Sequence, residues 1–323
     1  MVELSGESEE LAIAEAMAVS RIHDSSAQIV ESDMRALVIE GEFEPHVLQR
    51  LGLAWSWSQH MFSCHGEELP GLLEGLELPR ETFRVNTRRM GTQDSQEAVS
   101  LAKQVGALIS ENYKVDLDNP EVEVRILKGR RLHLGLLKGE IDRPSFEARK
   151  SENRPFSHPI SLHPRLARAL VNLTGIKEGH TLLDPFCGTG GILLEAGLIG
   201  CNVLGGDIDQ RMIDGTRLNL NHYNIEPDLR LQDISCWRDH SCQVDAIATD
   251  PPYGRSATTA KEPIDSLYKR AFEVCREALK PGGRLAIVLP EEGYADNSIM
   301  EREFMVPVRV HKSLTRYFCL FRN

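Results

Sequence analysis

Two architectures in series are predicted for this chain of 323 residues: an α+β first half, then an α/β second half on a mostly parallel, doubly wound sheet. Three observations predict them. From residue 181 to 289, short apolar strands alternate with helical segments, the pattern of a parallel sheet. A Gly-rich turn follows the first of those strands, where the ligand site of such a sheet begins. Before residue 150, strands and helices mix without a repeated β-α unit.

In chain order, Leu37–Glu40 (LVIE) reads as a strand, and 45–60 (PHVLQRLGLAWSWSQH) carries apolar residues at helical spacing. Thr82–Arg88 alternates like a strand. Asp94–Tyr113 is expected as an amphipathic helix, with Ala98, Leu101, Ala102, Val105 and Leu108 on one face. Val122–Leu127 and Arg131–Lys138 alternate in period two around Lys128-Gly129-Arg130, a hairpin signal. Residues 149–164 hold three prolines and few large apolar side chains, so the linker is placed there, over 149–160. Beyond it, strands are expected at Thr181–Asp184, Asn202–Asp207, Leu229–Gln232, Asp245–Thr249 and Arg284–Leu289. Helices are expected at 190–199, 210–223 and 265–279. Met305–His311 and Tyr317–Arg322 read as a terminal antiparallel hairpin.

Composition excludes several classes. Hydrophobic content of 41% and charged content of 26% are ordinary for a globular protein. The acidic start MVELSGESEE is unlike a signal peptide, and no stretch reaches the roughly 20 apolar residues of a membrane span, so a cytoplasmic protein is expected. Seven scattered cysteines form no C-x-x-C pair, and no metal site is expected. The net charge of −11 sits in residues 1–80, with fifteen acids against four bases; the remainder is balanced at 33 of each. Residues 125–150 carry eight bases against three acids, a local excess that suits phosphates and equally suits a solvated face.

Four motifs carry the chemistry. Asp184-Pro185-Phe186-Cys187-Gly188-Thr189-Gly190-Gly191 puts glycines where backbone must approach a bulky ligand, and a carboxylate at the strand end for a cationic amino group. It matches neither the dinucleotide fingerprint nor a P-loop. Asp207, in Gly205-Gly206-Asp207-Ile208-Asp209, lies where an acid that accepts from ribose hydroxyls belongs, or else it or Asp209 only caps the next helix. Asp233, with Ile234 beside it, could accept from an adenine amino group. Asp250-Pro251-Pro252-Tyr253 is the most specific. Its prolines remove two backbone donors, leaving a carboxylate, carbonyls and an aromatic ring that suit an amino group on a planar base.

Together these motifs resemble the class I S-adenosylmethionine methyltransferases that methylate amino nitrogens, over residues 154–323. The resemblance implies cofactor contacts from Asp184, Phe186, Gly188, Thr189, Gly190, Asp207, Ile208, Asp233 and Ile234, with Asp250, Pro251, Pro252 and Tyr253 holding the target amine. Arg154-Pro155-Phe156 and His158-Pro159 resemble an element that closes over the cofactor, which adds Phe156 and His158. No metal is implied.

Phe83–Gly91 (FRVNTRRMG) and Asn119–Arg125 (NPEVEVR) resemble a THUMP domain, an RNA-binding module of tRNA-modifying enzymes. Such a domain commonly follows a ferredoxin-like region. The implied division is 1–75 ferredoxin-like, 76–148 THUMP, 149–160 linker and 161–323 methyltransferase. With Ser313-Leu314-Thr315-Arg316 near the end, the order resembles the archaeal tRNA guanine-10 N2-methyltransferases. Expected partners are then tRNA, flipped at the target base, and phosphate contacts from Arg84, Arg88, Arg89, Lys128, Arg130 and Arg131. A monomer is expected, with an activator subunit left open. The acidic first 80 residues suit a scaffold better than an RNA surface. Other readings stay open: ribosomal guanine N2, adenine N6, or a non-catalytic RNA-binding protein. An NAD-dependent oxidoreductase shares the strand-turn-acid logic and leaves the tetrad unexplained.

Overall fold

The structure, a computed structural model, describes residues 1–89, 95–158, 161–239, 243–253, 263–297, 299–311 and 314–323. They form two compact units. One comprises Met1–Gln49 and Ala54–Ile141, the other Arg50–Leu53 and Asp142–Asn323.

The first unit runs β1 (Val2–Leu4), α1 (Glu9–His23), β2 (Gln28–Asp33), β3 (Ala36–Glu40), β4 (Ala54–Cys64), α2 (Leu69–Leu73), β5 (Thr82–Arg89), α3 (Ser95–Ile109), β6 (Lys114–Val115), β7 (Val122–Lys128) and β8 (Leu132–Glu140). Helix α1 buries Leu11, Ala12, Ala16 and Val19 at helical spacing, with acids in its first turn and bases in its last, as the helix dipole favours. Strands β7 and β8 pair antiparallel as the hairpin signal predicts. Asp33 accepts from the Arg131 amide at 2.8 Å, and a Cβ at Gly129 would lie 2.4 Å from the same carboxylate. Helix α3 lays Val105 and Ile109 on Phe83, Val124, Ile126 and Leu134.

One sheet, in the order β2-β3-β1-β4-β8-β7-β5-β6, runs through the whole unit. The regions read from sequence as ferredoxin-like and THUMP therefore share it. Their seam is β4 against β8, from Ser56–Glu140 to Cys64–Leu132. The helix expected over 45–60 is not formed. A 3-10 turn spans Pro45–Arg50 and β4 begins at Ala54. Gly52 breaks the run, because a Cβ there would meet the Arg165 carbonyl at 2.5 Å. The following Trp55-Ser56-Trp57-Ser58 then takes up the strand alternation that pairing with β1 and β8 rewards.

The second unit opens earlier than the linker assignment places it. Helix α4 (Arg143–Ala148) is capped by Asp142, which accepts from the Ser145 amide at 3.2 Å, and α5 (Pro164–Leu173) starts on a proline. Residues 149–156 are packed rather than loose. Arg149 and Arg154 are buried, and Arg149 and Arg168 both pair with the fully buried Glu195, each with a contact at 2.8 Å. Proline content therefore marks turns here and not a tether.

Then come β9 (Thr181–Asp184), α6 (Gly191–Gly197), β10 (Asn202–Asp207), α7 (Gln210–His222), β11 (Asp228–Leu231), β12 (Val244–Thr249), α8 (Ile264–Ala278), β13 (Leu279–Leu289), β14 (Glu301–His311) and β15 (Leu314–Arg322). The sheet order is β11-β10-β9-β12-β13-β15-β14, parallel as far as β13 and antiparallel beyond. That is the predicted mostly parallel sheet with an antiparallel end. Pro281-Gly282-Gly283 lies within β13, where the register against β12 steps from Val244–Leu279 to Ala246–Arg284. The core joins Leu183, Trp237, Ile247, Tyr268, Phe272, Ile287 and Phe321.

Candidate active site

The order reversal between β9 and β12 opens a crevice at the carboxyl ends of the strands. A cavity of about 750 Å³ occupies it, within the roughly 300–1,000 Å³ of small-molecule sites. Its wall includes His158, Asp184, Phe186, Gly188, Thr189, Asp207, Ile208, Asp233, Ile234 and the whole Asp250–Tyr253 tetrad.

The Gly-rich turn is held from behind. Gly188 and Gly190 both take positive φ, 51° and 76°. Thr216 of α7 donates to the Gly188 carbonyl at 2.6 Å, and a Cβ on Gly190 would meet its methyl at 2.7 Å. Asn219 donates to the Thr189 and Phe156 carbonyls at 2.9 Å and accepts from the Phe156 amide at 2.8 Å. Phe156 and Gly190 thus do not line the cavity. The Phe156 ring fills the space where Gly215 has no side chain. No sequence signal separated this bracing role from a cofactor contact.

The acids sit in unlike environments. Asp184 is 1% exposed and accepts from Thr249 Oγ1 at 2.7 Å and the Phe186 amide at 3.2 Å; burial pushes its pKa up to about 7. Asp207 accepts from the Gly188 and Asp209 amides at 3.0 and 2.9 Å, and its pKa is raised by burial. The helix cap considered as an alternative for Asp207 or Asp209 falls to Asp209, which accepts from the Arg211 amide at 2.9 Å. Asp233 accepts from the Ser235 amide at 2.9 Å and pairs with Arg270 of α8. Burial raises its pKa, but Arg270 and Ser235 outweigh that and hold it low.

At the tetrad, Asp250 is half-buried and makes no hydrogen bond to a described residue; its Oδ1 is wholly enclosed. Burial lifts its pKa to about 7, Arg316 opposing and Asp184 adding to the shift. The Tyr253 hydroxyl is likewise buried without a described partner. Tyr268 supports the turn by donating to the Pro252 carbonyl at 3.3 Å and stacks on Tyr294, with ring centroids 4.5 Å apart. Arg316, from β15, lies over the Tyr253 ring with Cζ 3.4 Å from its centroid. Thr249, Tyr268, Arg270 and Arg316 are site residues that motif reading did not assign. Only Arg316 stood inside a segment singled out from sequence.

In the first unit, the bases expected to contact RNA are mostly engaged. Arg84 pairs with Glu123 at 2.6 Å, Arg88 with Glu140 at 3.6 Å, Arg131 with Glu31 at 2.7 Å, and Lys128 with Glu97. Arg130 is exposed, and the Arg89 side chain lies outside the described residues. Arg125, inside the same basic run, is 1% exposed and pairs with Glu3, Glu123 and Glu140. Part of the N-terminal acidity is therefore the internal counter-charge of the basic run.

A parallel sheet with a Gly-rich turn after its first strand, an acid after its second and Asp-Pro-Pro-Tyr after its fourth defines an S-adenosylmethionine-dependent methyltransferase. Residues 151–316 match the model of the RMKL-like methyltransferase domain, and residues 73–127 that of the THUMP domain. The chain is similar end to end to the tRNA (guanine(10)-N2)-dimethyltransferases of Methanothermobacter thermautotrophicus and Pyrococcus abyssi. Each is 37% identical, the match covering 98% of this chain and 97% of theirs. The crystal structure of TrmN from Thermus thermophilus has the same fold, with a TM-score of 0.54 at 24% identity over 100% of this chain and 98% of that one. This chain belongs to the tRNA (guanine(10)-N2)-dimethyltransferase family.

Proposed function

We propose that this protein methylates the exocyclic N2 of guanine 10 in tRNA, once or twice, using S-adenosylmethionine. One observation carries the reading: an acceptor oxygen of Asp250 buried without a described partner, beside an aromatic ring at a cavity wall. An unmet acceptor of this kind is costly unless a ligand donor satisfies it. A base amino group is such a donor.

The wall fits the cofactor. Gly188, at positive φ, has only the Phe186 carbonyl within 4 Å of a built Cβ, at 4.0 Å, so the backbone there is open to a ligand. Asp207 and Ile208 are the candidates for its ribose, Asp233 and Ile234 for its adenine, and Asp184 for its amino group. When bound, the cofactor supplies a methyl on a sulfonium, so a C–S bond breaks as the N–C bond forms and its electrons return to sulfur.

The chain's own part is to hold and dehydrate the amine. Asp250 accepts one N2 proton in a hydrogen bond, the Pro251 carbonyl accepts the other, and Tyr253 fixes the base plane. The nitrogen that gains the methyl loses one proton, which Asp250 is placed to receive. A paired base reaches this cavity only when unstacked, so flipping is part of the reading. The THUMP-containing unit supplies the RNA contacts, with Arg88 and Arg130 the exposed candidates among the described bases.

The test is incubation of purified protein with labelled methyl donor and unmodified tRNA, then nucleoside analysis. Label in N2-methylguanosine or N2,N2-dimethylguanosine, lost when guanine 10 becomes adenine, is the expected result. Label in N6-methyladenosine overturns it.

A further inference from the structure

Arg316 is not used by the reading above, yet it stands at the centre of the site. Strand β15 carries it to the cavity wall, where the guanidinium stacks on the tetrad's own ring. Like Asp250, it makes no hydrogen bond to a described residue. A stacked guanidinium has lost one hydrated face but keeps N–H donors around its rim, and it has no acceptor. Two groups of opposite kind, one acceptor-only and one donor-only, therefore line one cavity without a hydrogen-bond partner among the described residues.

Their combination has a specific complement. Guanine offers, in sequence along one edge, an N2–H donor, an N1–H donor and the O6 acceptor. A carboxylate can take the two donors with its two oxygens, which leaves O6 facing the next group along. A donor there completes the acceptor-acceptor-donor face that cytosine presents in a base pair. Adenine fails this match. With its amino group on Asp250, its N1 lone pair would face the second carboxylate oxygen.

We propose that Arg316 is a specificity-determining residue that donates to guanine O6 while Asp250 accepts from N1–H and N2–H. The proposal rests on the guanine-N2 reading. It explains why a cation is stacked against the amine-binding tetrad, and it assigns base selection to the antiparallel end of the sheet.

The test compares tRNA carrying guanine or 6-thioguanine at the target position. The thio base keeps both N–H donors and weakens only the acceptor at C6. Wild-type kcat/KM is expected to favour guanine, on the order of tenfold or more, as for other sites built around one polar contact. In Arg316→Met the preference collapses toward one while S-adenosylmethionine binding, measured by calorimetry, is kept. Arg316→Lys, which retains a donor, keeps part of the preference. It also supplies the answer if the methionine variant does not fold. An unchanged preference in the Arg316 variants, or no preference in the wild type, overturns the proposal and leaves the methyltransferase reading standing. Failure of the wild type to methylate either base at N2 overturns both.

Discussion

The Thr249 hydroxyl donates to Asp184 Oδ1 at 2.7 Å, which ties the strand ending in the tetrad to the strand opening into the Gly-rich turn. The amine side and the cofactor side of the cavity therefore share one buried bond. Thr249→Val keeps the shape and removes the donor, leaving Asp184 short of a partner. Stability is expected to fall by about 1–3 kcal/mol, and cofactor affinity to weaken, while Thr249→Ser restores both. Chemical denaturation and calorimetric titration read the two effects.

Asp250→Ala is expected to lower the methyl-transfer rate by about 10²–10⁴-fold, the range for loss of a positioned proton acceptor. Binding of S-adenosylmethionine should be nearly unchanged. Asp250→Asn keeps one carbonyl acceptor and should fall between. Single-turnover rates at saturating cofactor and RNA decide it; a near-normal rate in the alanine variant contradicts the assigned role.

Acid-base behaviour follows from the two carboxyls near pH 7. Burial raises both Asp184 and Asp250 from 3.8 to about 7, with Asp207 adding to the shift at Asp184 and Asp184 adding to it at Asp250. Between those limits the folded state binds more protons than the unfolded one, so stability falls as pH rises from about 4 to 7. Asp250→Asn should flatten that decline, visible in melting temperatures taken across the interval. Activity runs the opposite way. The rate should rise with pH through about 7, as Asp250 becomes an acceptor carboxylate.

Gly190→Ala places a methyl at φ 76° and 2.7 Å from the Thr216 side chain. Left-handed backbone costs an L residue about 1–2 kcal/mol, and Thr216 cannot retreat without releasing the Gly188 carbonyl. Cofactor affinity should drop by roughly tenfold or more, with little change in RNA affinity in a filter-binding assay. Equal losses in both would place the defect elsewhere.

Glu195 holds Arg149 and Arg168 in the buried triad that anchors residues 142–173 to α6. Glu195→Ala leaves two enclosed cations without their counter-charge, a loss of about 3–5 kcal/mol. Thermal unfolding should show a lowered transition, and the triple variant that adds Arg149→Met and Arg168→Met to Glu195→Ala should recover part of it.

Much of this was legible in the sequence because its signals are local. Strand-helix alternation and four acid-bearing motifs each lie within a few residues, and the sheet order makes them converge. What stayed hidden depends on distant partners. Strand β4 read as a helix because its pairing with β1 and β8 is invisible in a window that also contains Pro45–Arg50. The supposed linker was a packed segment whose anchors, Glu195 and Asn219, lie about 40 to 60 residues away. Arg270 enters the site from a helix that carries no motif of its own, and Arg316 stands in a segment, Ser313–Arg316, to which the resemblance gave no site role. The basic run suited phosphates and a solvated face equally, whereas Arg125 and Arg131 pair with acids of their own sheet, as Arg84 does outside the run.

The placement of β15 between β13 and β14 has a consequence for biosynthesis. The inner strand of that trio is the last to emerge from the ribosome, so β14 must wait, unpaired with β13, until β15 arrives between them. Arg316 arrives with it. A nascent chain can thus assemble the cofactor turn and the tetrad while lacking the group proposed to recognise the base.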